Sequence, residues 1–162
     1  MLQIKSIMAA AAMTAFALSG CTGAKENKTD AAGKDAQLPV ADVDIRGQWY
    51  IENIVLSDSD YVRPEEAVPG AAQYIIFEDS TYFIMTNCNS LSGSYVVKGD
   101  SIAFGDGAMT EMACDNMATE DALRRILPDL STIDVQSDTV VRLNGRRAAE
   151  CILLRKAVPA IK

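Results

Sequence analysis

The feature that most constrains the fold is the way apolar residues fall into short runs between turn signals. Runs of this length, rich in isoleucine, valine, tyrosine and phenylalanine, favour β-strands over helices. Eight such runs follow one another, so we predict about eight short strands. They cover residues 48–56, 74–77, 81–86, 94–97, 101–104, 133–136, 139–143 and 149–154.

Turn-forming residues separate these strands and set their order. Residues 57–70 are polar, with two prolines, and predict a long loop. Two predicted strands flanking a three-residue turn form a hairpin across residues 94–104. Five turns are predicted, at Glu78-Asp79-Ser80, Lys98-Gly99-Asp100, Gly105-Asp106-Gly107, Ser137-Asp138 and Asn144-Gly145.

One helix is predicted, beginning near Thr119 and ending near Leu127. Thr119 is a suitable N-cap, and the carboxylates of Glu120 and Asp121 favour the positive end of the helix dipole. Pro128 cannot continue the helix. The apolar side of the helix carries Leu123, Ile126, Leu127 and Leu130 at helical spacing. Together these elements predict an α+β domain with a strongly bent antiparallel β-sheet and one helix.

The N-terminus resembles a bacterial lipoprotein signal. Residues 7–18 are apolar except for Thr14, and they lead into Leu18-Ser19-Gly20-Cys21. The segment is too short to span a bilayer comfortably, since that takes roughly 20 apolar residues. We therefore predict a cleaved signal peptide over 1–20, lipidation of Cys21, a flexible tether over 21–44, a domain over 45–156 and a tail over 157–162.

Lipidation of Cys21 would fix the protein in the bacterial cell envelope. A thioether-linked diacylglycerol and a further acyl chain such as palmitate anchor stably, because two or more chains are needed for that. The residues after Cys21 include no aspartate at the second position, which favours the outer membrane. Removing 1–20 takes the net charge from −7 to −8, and so acidic a chain disfavours nucleic-acid binding.

The chain contains no histidine. This excludes a Ser-His-Asp triad, a Cys-His dyad and histidine-ligated zinc, and it removes the usual general base near neutral pH. No other nucleophile–base pair or metal triad can be assembled from the motifs. We therefore predict that the protein is not an enzyme and uses no cofactor.

A series of motifs gives the domain its family resemblance. Thr86-Asn87-Cys88-Asn89 is followed by Gly93-Ser94-Tyr95, then by Thr110-Glu111-Met112-Ala113-Cys114 and a helix with an early glutamate, Glu120. This order resembles the META domain of the HslJ-like lipoproteins, over roughly residues 45–156. Asn87 stands where the family usually has glycine. The resemblance implies an envelope protein linked to stress and antibiotic tolerance, with motif residues Asn89, Gly93, Tyr95, Thr110, Met112, Ala113 and Cys114.

Three cysteines remain for the domain once Cys21 is assigned to lipid: Cys88, Cys114 and Cys151. In an oxidising compartment two of them are expected to pair. Cys88 with Cys114 is the pairing that we favour, and a pairing of either with Cys151 stays open. Cys151 falls in a predicted strand, where a buried core cysteine is the simplest interpretation.

Two functional classes follow from these observations. In the first, the domain supports the envelope under stress by contacting an envelope protein or the cell wall. In the second, it binds a small ligand or Cu(I), because thioethers and thiolates suit that ion. The candidate copper ligands are Met109, Met112, Cys114 and Met117.

Overall fold

A computed structural model describes residues 41–156 of the chain. The predicted signal peptide, Cys21, nearly all of the tether and the tail 157–162 lie outside the described residues. Within 41–156 the chain forms nine strands, two short helices and one 3-10 turn. In chain order these are β1 Gly47–Val55, β2 Tyr61–Val62, α1 Pro64–Ala67, β3 Tyr74–Phe77, β4 Thr81–Met85, β5 Ser90–Lys98, β6 Ser101–Met109, α2 Ala118–Ile126, the 3-10 turn Leu127–Asp129, β7 Leu130–Ser137, β8 Val140–Gly145 and β9 Cys151–Arg155.

The sheet closes on itself through β1. The first half of β1 pairs with β3, from Gly47 opposite Phe77 to Tyr50 opposite Tyr74. Its second half pairs with β9, ending at Val55 opposite Cys151. A nine-residue strand is about 30 Å long, which is enough for two partners. The predicted bent antiparallel sheet is therefore an eight-stranded closed barrel, to which β2 adds a short edge beside β1.

The joint between β6 and β7 is the weakest in this barrel. Every other neighbouring pair of barrel strands shares at least four register positions, whereas β6 and β7 share one, Ser101 opposite Thr132. An additional backbone hydrogen bond runs from the Ile133 amide to the Asp100 carbonyl at 2.7 Å. Most of β6 therefore has a strand partner on one side only.

The barrel interior and the buried face of α2 form one apolar core. Trp49 is 2 % exposed, and its indole N–H donates to the Ile45 carbonyl at 2.7 Å. Leu123 and Ile126 of α2 are fully buried in the same core. The helix thus holds its place through the periodic apolar face that predicted it.

The predicted strands are found, but several local predictions are wrong. The predicted loop 57–70 contains β2 and α1, and Asn144-Gly145 lies within β8. Gly145 suits that position because a Cβ there would lie 2.6 Å from the Glu150 Cβ. A close chain approach, and not a turn, requires the glycine. The segment Gly105-Asp106-Gly107 likewise lies in β6.

The predicted start of the helix is also shifted. Helix α2 begins at Ala118 with Met117 in the cap position, and no side chain caps it. Thr119 is buried inside the first turn, and its hydroxyl has no hydrogen-bond partner within residues 41–156. Leu130 is the first residue of β7, since Pro128 converts the end of the helix into a 3-10 turn.

Ordered contacts begin before Ile45, the predicted start of the domain. The Val43 amide donates to the Gly99 carbonyl at 2.8 Å, and the Gly99 amide donates to Asp42 at 2.7 Å. Gly99 has a φ of 62°, which suits glycine at the tip of the β5–β6 hairpin.

We predict that Gly93→Ala destabilises the barrel by about 1–3 kcal/mol, because the new methyl group has no room. Its Cβ would lie 2.8 Å from the Asp106 carbonyl oxygen and 2.9 Å from the Tyr82 ring. Urea unfolding measures the effect. Ser92→Ala, at the neighbouring exposed position, is the control and should change stability by less than about 0.5 kcal/mol. Equal stabilities for the two variants would contradict this account of Gly93.

Candidate functional site

The family motifs converge on a polar cluster beyond the end of β4, which is buried at Thr86, Cys88, Asn89 and Glu120. We call it the cap cluster, and it consists of Thr86, Cys88, Asn89, Thr110, Met112, Cys114 and Glu120. The cluster is built around a turn in which the backbone amide of Thr86 donates to the backbone carbonyl of Asn89 at 2.9 Å. The Thr86 hydroxyl accepts from the Asn89 amide at 2.9 Å and from the Cys88 amide at 3.3 Å. These bonds fix the turn and hold Cys88 at its apex.

Asn89 ties this turn to the segment that follows β6. Its side-chain nitrogen donates to the Met112 carbonyl at 3.0 Å, and its side-chain oxygen accepts from the Met112 amide at 2.8 Å. The same oxygen accepts from the Thr110 hydroxyl at 2.9 Å. The amide group of Asn89, 1 % exposed, therefore pairs with a backbone as another strand would.

A disulfide joins Cys88 to Cys114, the pairing that we predicted. Cys151 is buried and takes part in no disulfide within the described residues. The disulfide closes a loop with a sequence separation of 26, so loop-closure entropy gives it a stabilising effect of about 3 kcal/mol. It holds the segment before α2 against the turn after β4.

Glu120 connects α2 to the same turn. It is fully buried. One of its carboxylate oxygens accepts from the Thr86 hydroxyl and, at 3.3 Å, from the backbone amide of Asn89. The other oxygen has no hydrogen-bond partner within residues 41–156. The sequence predicted Glu120 as a charge at the start of a helix. Its contact with Thr86, which lies 34 residues away, has no sequence signal.

A hydroxyl beside a carboxylate can act as a nucleophile with its base, but substrate access is missing here. Thr86 is 4 % exposed and Glu120 is fully buried. Five cavities on the described residues are lined by other side chains. The geometry of the cap cluster therefore supports cross-linking of three chain segments and gives no support for catalysis.

The predicted copper ligands are not assembled as a mixed thiolate site. Cys114 is in a disulfide, so it offers no thiolate in this state. Met112 is 58 % exposed, and its backbone makes the contacts to Asn89. Met109 packs against the core, while the Met117 sulfur lies 3.9 Å from the side-chain nitrogen of Asn89. No group of three or more Asp, Glu or Cys side chains within 41–156 is placed to hold a metal ion.

A shallow groove opens where β6 leaves β7. We call it the β6 groove, and it has a volume of about 230 Å³. One wall is β6 from Phe104 to Met109, and the opposite wall is formed by Arg124, Leu127 and Pro128. Tyr82 and Leu91 line its floor. Burial raises the pKa of the Tyr82 phenol, which therefore stays protonated and can donate a hydrogen bond at neutral pH.

A model of the META domain family matches residues 41–158. The chain belongs to the META domain family. None of the curated proteins matches this chain. No helix in the described part of this META protein is long and apolar enough to cross a membrane.

The solved structures that resemble this one are distant in sequence. An NMR structure of a protein from Burkholderia xenovorans is 18 % identical with a TM-score of 0.57, covering 69 % of this chain and 82 % of that one. A second NMR structure is 16 % identical with a TM-score of 0.50, covering 68 % and 88 %. A DUF4847 family protein from Bacteroides vulgatus is 11 % identical with a TM-score of 0.48, covering 67 % and 91 %. At these identities the first two matches show the fold alone.

The structure places most of the predicted motif residues in structural roles. Asn89, Thr110 and Cys114 belong to the cap cluster, and Gly93 makes room for the Tyr82 ring. The Tyr95 hydroxyl donates to the Glu78 carbonyl. Ala113 is exposed, and nothing in the structure explains it. The sequence analysis missed the β6 groove, because Gly105-Asp106-Gly107 has the composition of a turn.

We predict that non-reducing peptide mapping finds Cys88 linked to Cys114 and Cys151 as a thiol that iodoacetamide labels only after unfolding. The physical reason is the burial of Cys151 at 6 % exposure. Cys88→Ser with Cys114→Ser should lower the free energy of unfolding by about 3 kcal/mol, with Cys151→Ser as the comparison at an unpaired position. A disulfide that includes Cys151 would contradict this pairing.

We also predict that Glu120→Gln is tolerated and that Glu120→Ala is not. Glutamine keeps the oxygen that accepts from Thr86 and Asn89, whereas alanine leaves a cavity and removes that acceptor. The alanine variant should lose about 2–4 kcal/mol and the glutamine variant less than about 1 kcal/mol, as measured by urea unfolding. If both variants lost the same free energy, the acceptor oxygen that glutamine keeps would not be the stabilising feature.

Proposed function

We propose that this META protein is a lipid-anchored, non-enzymatic component of the bacterial envelope that supports the envelope under stress through contacts with other proteins or with the cell wall. The observation that carries the proposal is that the motif residues have structural roles. Asn89 satisfies a neighbouring backbone, Thr86 and Glu120 are closed to solvent, and Cys114 is in a disulfide. These groups build a rigid scaffold, and a scaffold acts through its surface.

The sequence supports the location as well. The run of residues 7–18 followed by Leu18-Ser19-Gly20-Cys21 is typical of a lipoprotein signal. A stabilising Cys88–Cys114 disulfide fits an oxidising compartment. A lipid at Cys21 followed by about 20 tether residues would hold the barrel close to a membrane surface. The absence of aspartate after Cys21 favours the outer membrane.

The small-ligand alternative has less support. The β6 groove is below the range of about 300–1,000 Å³ that is usual for small-molecule sites. Binding of Cu(I) by a thiolate would first require reduction of the Cys88–Cys114 disulfide.

Deletion of the gene in the bacterium that encodes it tests the proposal. We expect the deletion strain to be more sensitive to novobiocin or to heat, and we expect the full-length chain to restore resistance. Cys21→Ala is the informative variant, because it removes only the predicted lipid attachment. It should abolish incorporation of labelled palmitate and fail to restore resistance, whereas Cys151→Ser should restore it.

Two results would count against the proposal. A deletion strain that is sensitive to copper alone would favour the Cu(I) alternative. Full rescue by Cys21→Ala, with the protein found away from membranes, would show that lipid anchoring is unnecessary.

A further inference from the structure

The strand β6 exposes backbone hydrogen-bonding groups along most of one edge. It pairs with β5 from Ser101 to Met109 but with β7 only at Ser101. Backbone amides and carbonyls strongly favour having partners, and an open edge of this kind is a template for another strand. Residues 105–108 are all exposed, which is unusual for four consecutive barrel residues.

Backbone hydrogen bonds at both ends of β6 identify which groups face outward. The Asp100 carbonyl faces β7, so by alternation the backbone groups of Phe104 face the same side. The Thr110 amide donates to the Ser90 carbonyl of β5 at 3.0 Å. Because the backbone groups of successive strand residues point to opposite sides, those of Met109 and Gly107 point away from β5. The outward-facing residues have even numbers up to Phe104 and odd numbers from Gly107 onwards. The numbering changes because the register shift opposite Gly93 and Tyr95 gives β6 one extra residue.

Within residues 41–156, β7 has no register position opposite these outward groups. Phe104, Gly107 and Met109 each offer an amide and a carbonyl along one line. The same line forms one wall of the β6 groove. A small molecule cannot satisfy a row of alternating donors and acceptors, whereas an extended polypeptide backbone can.

The rest of the groove indicates what side chains such a polypeptide would carry. Leu127 and Pro128 face the open edge, and Phe104 and Tyr82 contribute aromatic surface. The volume of about 230 Å³ is suited to an apolar side chain and not to a large ligand. Arg124 lies on the same wall and is exposed. Arg124 forms no salt bridge within the described residues, whereas its neighbour Arg125 pairs with Asp60 at 3.3 Å.

We propose that an extended segment of a partner protein adds to β6 as a further strand. Its backbone would bond to Phe104, Gly107 and Met109, an apolar side chain would enter the β6 groove, and a carboxylate would pair with Arg124. The chain has a net charge of −7, so a single acidic group beside Arg124 is favoured over a strongly acidic partner. This inference rests on the proposed function and names the class of partner that the scaffold would hold.

The first experiment measures backbone protection directly. The probes are acetylated octapeptides that alternate threonine with one of valine, leucine, isoleucine or phenylalanine and end in a free glutamate. Hydrogen-exchange mass spectrometry at single-amide resolution is carried out on the full lipidated chain in detergent. The amides of Phe104, Gly107 and Met109 should exchange fast in the free protein and at least about tenfold more slowly with saturating peptide. The amides of Ala103 and Ala108, which face β5, should change little.

The second experiment separates strand addition from apolar contact. The same peptides with N-methyl groups on alternate residues keep their side chains but lose the donors that a strand needs. We expect fluorescence anisotropy to show at least about a tenfold loss of affinity for them. Arg124→Glu should weaken binding of the acidic peptides by a similar factor, whereas Arg125→Glu, with the same change of charge one residue away, should change it less than about twofold.

Three results would overturn the inference. The first is a failure of strand-like binding, seen either as no peptide binding below about 1 mM or as N-methylated peptides that bind as well as their parents. The second is that the three edge amides are already protected in the free monomer, because another part of this chain would then cover the edge. The third is that protection rises with protein concentration alone, which would assign the edge to a second copy.

Failure of this inference differs from failure of the proposed function. A deletion phenotype that is fully rescued by Arg124→Glu would preserve the envelope role and remove the β6 groove from it. Peptide binding without any deletion phenotype would preserve the groove and remove the envelope role.

Discussion

The pairing of β1 with both β3 and β9 determines the rest of the structure. Because one strand serves two neighbours, the sheet closes, and closure places the apolar face of every barrel strand around one core. The register shift near Ile51 and Asn53 lets β1 change direction between its partners. A closed barrel removes sheet edges, so the one place where pairing lapses, between β6 and β7, becomes the distinctive surface of the molecule.

The cap cluster fixes the chain next to the part of β6 that lacks pairing with β7. The segment from Glu111 to Met117 follows the end of β6, crosses to α2 and forms no strand within the described part of the chain. Asn89, the Cys88–Cys114 disulfide and Glu120 fasten this segment and the start of α2 to the turn after β4. Helix α2 carries Arg124 and leads into Leu127 and Pro128, so the cap cluster anchors the helix that supplies one wall of the β6 groove, while the motif residues do not line the groove.

The sequence predicts the elements of this fold better than their partners. Strands β3, β4 and β8 are found within two residues of their predicted bounds, because each combines an apolar run with local turn signals. Closure was not predicted, since nothing in the run at Gly47–Val55 shows that it pairs twice. The turn signal at Gly145 failed because this glycine makes room for Glu150, and the cap signal at Thr119 failed because that residue is buried inside the first turn of α2. The pairing of Cys88 with Cys114 was predictable from compartment and family, whereas the Thr86–Glu120 contact was not.

An open strand edge normally promotes edge-to-edge aggregation, and the sequence of β6 opposes it. Gly105, Asp106 and Gly107 lie at its register shift, where a bulge twists the edge and a charged residue discourages pairing with a like edge. Two copies of this chain joined edge to edge by β6 would bring two such charges close together without a cation between them. A foreign strand that carries one carboxylate meets Arg124 instead. The same features that oppose self-association therefore favour a partner that differs from this chain in its charge pattern.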